Sequence, residues 1–164
     1  MPTLSFEDAR LLAVRGELSE ALASLDAILE EEPGHIGALL LKGGVLLSLR
    51  EEEAALKHFS RAAALQPFSS EALNGLARCL HSLGRDDEAL PVALQAKEHL
   101  GRDDNFKHAA PVYLTLVWIH REKRRFEEAL AIAEEGLLRC PDAVLAQWAS
   151  VVEEELFEAQ QERC

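Results

Sequence analysis

Cysteine is scarce in this sequence, and the cysteines that do occur form no recognised pattern. Cys79, Cys140 and Cys164 are an odd set, and no two of them have a CxxC or zinc-ligand spacing. This argues against a disulfide framework and against a structural metal site. It favours a reducing compartment, so we expect a cytoplasmic protein.

Long apolar runs and an excess of basic residues are also missing. Nowhere do eighteen apolar residues follow one another, and residues 1–10 show no basic start followed by an apolar stretch. We therefore expect no membrane-spanning helix and no signal peptide. Lys and Arg number 17 against 29 Asp and Glu, a formal charge of −12. Because that charge would repel a phosphate backbone, we expect neither nucleic acid nor a membrane as a partner.

Residues that favour strands and turns are few. Aromatic residues make up 5% of the chain, which has nine glycines and six prolines, whereas Ala, Leu and Glu are abundant. The abundant residues are strong helix formers. The composition predicts an all-α fold, and 164 residues suffice for one domain with a sizeable core.

Catalytic and cofactor-binding patterns are absent. No nucleophile, base and orienting group can be placed together, and Gly43 and Gly44 lie within a predicted helix rather than in a phosphate-binding loop. The histidines are scattered, and we interpret the group around His99 and His108 as a polar connection rather than a metal site. We expect no enzymatic activity, no cofactor and no metal.

What the sequence does contain is a repeat of 34 residues. Pro33 and Pro67 are 34 residues apart, and so are Ala21, Ala55 and Ala89. Each interval holds two apolar runs with helical spacing, which a short turn separates and a proline closes. The pattern predicts a unit of helix, turn and second helix that recurs along the chain.

The clearest unit runs from Ile36 to Pro67 and contains Leu39-x-x-Lys42-Gly43-x-x-Leu46 followed by Ala55-x-x-x-Phe59. This period and pattern resemble the tetratricopeptide repeat over about residues 3–141. The resemblance implies an all-α solenoid of antiparallel helix pairs in a single domain, residues 1–164. The expected repeats are about 2–35, 36–69, 70–109 and 110–143. A capping helix at about 142–162 is expected to cover the last repeat.

Three local features depart from a regular repeat. Arg50 stands where the usual turn has glycine. Pro91 falls inside a predicted helix, where proline removes an amide donor and clashes with a preceding carbonyl, so we expect a kink or a late start. Ala89 and Ala129 are 40 residues apart instead of 34, which places six added residues around 101–108. These residues form either a loop or an extension of the flanking helices.

The resemblance also implies a binding surface. Tetratricopeptide arrays coil into a right-handed superhelix with a concave face lined by the first helices, and many members hold an extended peptide or a helix there. A residue's position within the repeat predicts whether it lies on this face, and we expect the residues on it to contact a partner. They are Phe6, Arg10, Leu40, Leu41, Gly44, Leu47, Asn74, Arg78, His81, Leu114, Trp118 and Arg121.

Some family members grip a C-terminal carboxylate with a clamp of Lys and Asn, which is absent here. Phe6 and Arg10 occupy the first pair of clamp positions, and Leu41 occupies a later one. An apolar centre with arginines among the leucines suits an amphipathic or acidic segment with apolar anchors. Gly37, Gly44 and Gly75 also fall on this face, where they either form a shallow channel for a ligand backbone or are tolerated without purpose.

Two classes of function follow. The leading hypothesis is a protein–protein interaction module, an adaptor or chaperone that holds a peptide or helix of a partner in the concave groove. The small tetratricopeptide chaperones of bacterial secretion systems share its acidity and size, which is the only support for that narrower hypothesis. The competing hypothesis is a structural scaffold that assembles into a homo-oligomer through the end faces of the repeat array.

Overall fold

The computed structural model describes residues 5–100 and 109–162, and within these ranges the chain consists of helices without a β-strand. The nine helices are α1 (Phe6–Arg15), α2 (Leu18–Glu31), α3 (Ile36–Ser48), α4 (Glu52–Leu65), α5 (Ser70–Ser82), α6 (Asp86–Glu98), α7 (Ala109–Glu122), α8 (Phe126–Arg139) and α9 (Ala143–Gln161). The predicted insertion at 101–108 lies outside the described residues.

The helices form consecutive pairs that stack on one another. α1 packs against α2, α3 against α4, α5 against α6 and α7 against α8, and each pair packs against the next. The first helices also touch each other in sequence, α1 with α3, α3 with α5, α5 with α7 and α7 with α9. The predicted all-α solenoid of four helix pairs with a C-terminal capping helix is therefore confirmed. One surface of the stack is built from first helices.

Small residues lie where the helices approach most closely. The repeat alanines Ala21, Ala55 and Ala89 have no exposed surface. Gly43 is buried as well, and a Cβ atom at this position would stand 2.7 Å from the ring of Phe59. That is closer than nonbonded carbon atoms approach. The 34-residue spacing thus marks the positions at which only small side chains fit.

The turn inside each helix pair contains one residue in the left-handed region. Gly16 and Gly84 have φ of 80° and 70°, while Arg50 and Arg124 take the same role with φ of 63° and 56°. Glycine adopts this region without strain, whereas a residue with a Cβ does not. Arg50 therefore replaces the usual glycine without changing the turn.

Pro91 lies within α6, where a kink or a late start of the helix is predicted. The helix begins at Asp86 and is continuous to Glu98, so the late start is not observed. The Ala89 amide already donates to the carbonyl of Arg85 at 2.9 Å. Proline has no N–H, so the carbonyl four residues before Pro91 receives no helical hydrogen bond. Because Pro91 is exposed, that carbonyl is within reach of water. The kink stays a prediction.

No helix of the described residues has the length and apolar character needed to span a lipid bilayer.

Candidate functional site

Two neighbouring depressions open on the surface built from α1, α3 and α5. The first is an open space of about 740 Å³, and its lining residues are Phe6, Arg10, Gly37, Leu40, Leu41, Gly44 and Glu71. The second is an open space of about 520 Å³, and its lining residues are Leu40, Gly44, Phe59, Glu71, Asn74, Gly75, Arg78 and Pro111. Because Leu40, Gly44 and Glu71 line both, the two depressions are contiguous. We refer to them together as the groove.

The groove brings together many of the residues expected on the concave face. Those from the first two helix pairs are Phe6, Arg10, Leu40, Leu41 and Gly44, and those from α5 are Asn74 and Arg78. Sequence reasoning missed two lining residues, Phe59 and Pro111. Phe59 lies on the second helix α4, and Pro111 lies in the first turn of α7.

The three glycines of this face have different surroundings. A Cβ atom on Gly37 would stand 2.8 Å from Cζ of Phe6, and one on Gly75 would overlap the ring of Phe59. A Cβ atom on Gly44 would meet nothing within 4 Å. A continuous channel through all three glycines is therefore not formed, because aromatic rings cover two of them. Gly44 alone leaves open space on the floor of the groove.

The two arginines of the groove differ in their partners. Arg10 donates from Nε to Glu7 at 3.0 Å, and this hydrogen bond lowers the pKa of the exposed Glu7 carboxyl. Arg78 is exposed and makes no ion pair or side-chain hydrogen bond with any other residue in the described ranges. Arg78 is thus the groove cation whose charge remains available.

Asn74 is the buried polar residue of the groove. Only 6% of it is exposed, and its Oδ1 atom has no hydrogen-bond partner among the residues that the structure describes. Most buried polar side chains in folded proteins are paired, since leaving one unpaired is unfavourable. The sequence placed Asn74 on the concave face but gave no sign that its carboxamide would lack a partner.

Residues expected at the C-terminal end of the face contact the capping helix instead. The rings of Trp118 and Trp148 meet edge to face with centroids 6.0 Å apart. Arg121 lies 5.4 Å from the Trp148 ring centroid and donates from Nε to Glu155 at 2.7 Å. Leu114 is 9% exposed and belongs to the same cluster. None of these three lines the groove, because α9 packs where the first helix of a further repeat would lie.

The two remaining predicted residues also have partners within the chain. His81 Nδ1 lies 2.6 Å from Oδ1 of Asp86, across the turn between α5 and α6. Leu47 is partly buried against the cluster that contains Leu46 and Phe59. Neither residue lines the groove. Residue 108, which was considered together with His99, lies outside the described residues.

The sequence and the fold of this chain are similar to those of known proteins. A family model described as Tetratricopeptide repeat matches residues 6–70 and 53–105. A search of curated proteins finds no match.

Several solved structures are similar. YrrB, described as a TPR protein with an unusual peptide-binding site, has 22% identity and a TM-score of 0.66 over 90% of this chain and 73% of that chain. The thermophilic TPR protein TTC0263 of Thermus thermophilus has 19% identity and a TM-score of 0.73 over 93% and 79%. PilF of Pseudomonas aeruginosa has 20% identity and a TM-score of 0.78 over 95% and 70%. The family model spans more than half of the sequence and agrees with the stacked helix pairs, so the chain belongs to the tetratricopeptide repeat family.

Proposed function

We propose that this protein is an adaptor or chaperone that holds a segment of a partner protein, either a peptide or a helix, in the groove across α1, α3 and α5. Membership of the tetratricopeptide repeat family supports the broader role of a protein–protein interaction module. Proteins of this family are generally non-enzymatic scaffolds, and we propose no catalytic activity, cofactor or metal for this one. We also propose that residues 1–164 form one domain.

The observation that carries the proposal is the continuity of the groove. Its two depressions share Leu40, Gly44 and Glu71 and run from α1 to the first turn of α7. Concave surfaces of this kind, with an apolar floor and a few polar groups, are the usual sites for ligands. The similar structure of YrrB is described as having a peptide-binding site, which gives further support.

The chemistry of the lining suggests the character of the partner segment. Phe6, Leu40 and Leu41 offer apolar contact, and the guanidinium of Arg78 has no ion-pair partner among the described residues. We propose an acidic or amphipathic segment with apolar anchors. Arginine forms charge-assisted, bidentate hydrogen bonds with carboxylates, so one acidic side chain opposite Arg78 would be recognised directly.

Peptide selection against the purified protein tests this proposal. A phage-displayed library of random peptides is selected on the wild-type protein, and the enriched peptides are then measured on two variants. Gly44→Leu fills the groove floor, while Ala131→Leu adds similar bulk to the exposed side of α8. We expect Gly44→Leu to weaken binding at least about tenfold, which corresponds to roughly 1.4 kcal/mol. Equal binding to the wild type and both variants would place the site elsewhere.

A second candidate function is a scaffold that assembles through its end faces. Apolar side chains are exposed on both terminal helices: Leu11 and Val14 of α1 are 43% and 77% exposed, and Val144 and Phe157 of α9 are 49% and 61% exposed. Light scattering at several concentrations distinguishes the two functions. A groove-binding adaptor stays monomeric as the concentration rises, whereas a scaffold increases in mass.

We propose a reducing, cytoplasmic location. Cys79 and Cys140 are free thiols. Burial raises the pKa of the Cys79 thiol to about 12 and also raises that of Cys140. Thiols in this state are poor nucleophiles at neutral pH. The narrower proposal of a bacterial secretion-system chaperone is supported by acidity and size alone.

A further inference from the structure

We propose that a second surface, at the edge of the stack where one helix pair connects to the next, binds a basic amphipathic segment of a partner protein. The surface comprises two depressions at the ends of second helices, and it shares no lining residue with the groove. The inference therefore goes beyond the proposed function and does not depend on it. We refer to this surface as the connection edge, and its apolar residues are Leu65, Phe68, Leu94, Leu100 and Leu138.

Large apolar side chains are exposed along the connection edge. Phe68 lies in the connection between α4 and α5 and is 64% exposed, and Leu65 at the end of α4 is 51% exposed. Leu94 of α6 and Leu138 of α8 are 42% and 89% exposed. A single exposed leucine needs no explanation, whereas a contiguous exposed apolar patch marks an interaction site. Whether these side chains are contiguous therefore decides how they are interpreted.

The apolar side chains of the connection edge are contiguous. Leu65 and Phe68 line an open space of about 600 Å³, and Leu94 and Leu100 line another of about 750 Å³. The ring of Phe68 meets the ring of His99 edge to face, with centroids 5.2 Å apart. Leu100 follows His99 directly in the chain. The contact between Phe68 and His99 thus joins the two depressions.

Phe68 has the properties of an anchor for a partner. His99 is buried, so the Phe68 ring rests on a side chain that cannot move away easily. The preceding residue, Pro67, has a fixed φ, which restricts the backbone of the connection. A ring that is already held in place loses little conformational freedom on binding. Aromatic residues are also enriched in the cores of protein interfaces.

The charge beside this apolar surface is negative. Three consecutive glutamates, Glu30, Glu31 and Glu32, are exposed at the end of α2, and they form no ion pair within the described ranges. They lie close to Leu65, because a Cβ atom on Gly34 would stand 4.0 Å from Cδ1 of Leu65. The C-terminal end of a helix favours cations and not carboxylates. Helix stability therefore does not account for these glutamates.

The second depression adds no net positive charge. Lys97 and Arg139 line it, and both form ion pairs with Glu135 of α8. Glu98, the last residue of α6, lines the same depression. Its carboxylate forms no ion pair with any residue that the structure describes. The apolar surface is thus flanked by carboxylates whose charge remains available.

Charge complementarity identifies the class of occupant. A segment with apolar anchors and several Lys or Arg residues would cover the apolar side chains and pair with the free glutamates. The formal charge of −12 would attract such a segment from a distance and repel an anionic lipid surface. The groove offers a free arginine and the connection edge offers free carboxylates. One chain could therefore bind an acidic and a basic partner at the same time, as an adaptor does.

The test selects peptides on a protein whose groove is filled. A phage-displayed library of random peptides is selected on Gly44→Leu, and the affinity of each enriched peptide is measured on the wild type and on single variants. Phe68→Ser removes the anchor, and Phe157→Ser is its matched control, because Phe157 of α9 is 61% exposed. Leu65→Ser is a second variant at the edge. Thermal unfolding of each variant reports whether the fold is intact.

We expect the enriched peptides to combine Lys or Arg with apolar residues. Phe68→Ser should weaken their binding about tenfold, as the loss of a central interface residue does. Leu65→Ser should also weaken it, and Phe157→Ser should leave it unchanged.

A second pair of variants tests the charge. Glu31→Gln together with Glu32→Gln should weaken binding about threefold and make the affinity less sensitive to added salt. Glu127→Gln together with Glu128→Gln is the control, because it changes the net charge equally at the exposed start of α8. The control should leave the affinity nearly unchanged.

Three results would overturn the inference. One is a selection on Gly44→Leu that enriches no peptide, or only peptides without Lys and Arg. Another is equal binding to the wild type, Phe68→Ser and Leu65→Ser. The third is a wild-type protein whose mass in light scattering rises with concentration while that of Phe68→Ser does not, which would identify a second copy of this chain as the occupant. If Phe68→Ser does not fold, Leu65→Ser and the glutamate variants still decide.

Discussion

The ring of Phe59, on the second helix of one pair, fills the space that a side chain on Gly75 of the next pair would occupy. The same ring lies against Gly43 on its own pair, where a Cβ atom would stand 2.7 Å from it. Phe59 is only 5% exposed. The ring is thus held between two glycines of neighbouring first helices, and it joins two repeats while forming part of the groove wall.

This arrangement predicts opposite effects of one substitution at two positions. Gly75→Ala should lower stability, because the overpacking penalty of about 1 to 3 kcal/mol exceeds the gain of about 1 kcal/mol in helix propensity. Gly44→Ala should raise stability by about 0.5 to 1 kcal/mol, because its Cβ meets no other atom. Chemical denaturation of both variants beside the wild type measures the difference. A stabilised Gly75→Ala would show that the Phe59 ring moves freely.

The fold could be predicted from the sequence because several positions carry the same packing constraint at a fixed period. Ala21, Ala55 and Ala89 are small because helices meet there, and that requirement does not depend on neighbours outside the repeat. The residues of the concave face were predicted from their positions within the repeat alone. The groove across α1, α3 and α5 is therefore lined mainly by residues that register had already placed there.

What the sequence did not reveal depends on side-chain contacts between helices, which the repeat period does not determine. Arg121 was expected to contact a ligand, but its partner Glu155 lies on α9, 34 residues later and outside the last repeat. The ring of Phe6 covers Gly37, and the ring of Phe59 covers Gly75. The position of a residue in the repeat predicts where its backbone lies, but it does not predict where neighbouring side chains point. Whether the groove residues bind a partner stays a prediction.

The capping helix offers a second test through a matched pair of valines. Val152 has no exposed surface and belongs to the cluster between α7, α8 and α9, whereas Val144 on the same helix is 49% exposed. Val152→Ala should lower the free energy of unfolding by roughly 1.5 to 3 kcal/mol, the transfer free energy of two buried methyl groups together with the cost of the cavity that they leave. Val144→Ala should change it by less than about 0.5 kcal/mol, as exposed substitutions usually do. Urea denaturation gives both values.

Removal of the whole cap should have a larger effect. A chain that ends at Pro141 loses Leu145 and Val152, which are fully buried, and uncovers the apolar surface of α7 and α8. We expect this truncated protein to aggregate, because solenoids need a terminal helix with a polar outer side. Size-exclusion chromatography with light scattering measures the outcome. A truncated chain that remains monomeric and as stable as the parent would show that α9 does not protect the last repeat.

The left-handed arginines of the turns predict stabilising substitutions. Arg50 and Arg124 have φ of 63° and 56°, a region that costs a residue with a Cβ about 1 kcal/mol relative to glycine. Arg50→Gly and Arg124→Gly should therefore each raise the thermal midpoint. Arg61→Gly is the control, because Arg61 is exposed inside α4 and its replacement should cost about 1 kcal/mol of helix propensity. If Arg50→Gly is as destabilising as the control, other contacts of Arg50 outweigh its backbone strain.

Tyr113 allows a direct measurement of burial, because it is the single tyrosine of the chain. The side chain is fully buried, and its hydroxyl donates to Oε1 of Glu135 at 3.0 Å. Burial, together with this hydrogen bond, raises the pKa of the phenol to about 12. An exposed tyrosine titrates near 10. Ultraviolet absorbance during alkaline titration should show one midpoint near 12 in the native protein and one near 10 in urea.

The same shift predicts how stability depends on pH. Because the pKa of Tyr113 is higher in the folded than in the unfolded chain, its contribution is complete below about pH 10 and is lost as the pH rises to about 12. Glu135→Gln keeps an acceptor for the hydroxyl but removes the charge, so the native midpoint should fall part of the way toward 10, since burial remains the larger cause. A native midpoint near 10 in the parent protein would show that solvent reaches the phenol and that the packing of α7 against α8 is looser than described.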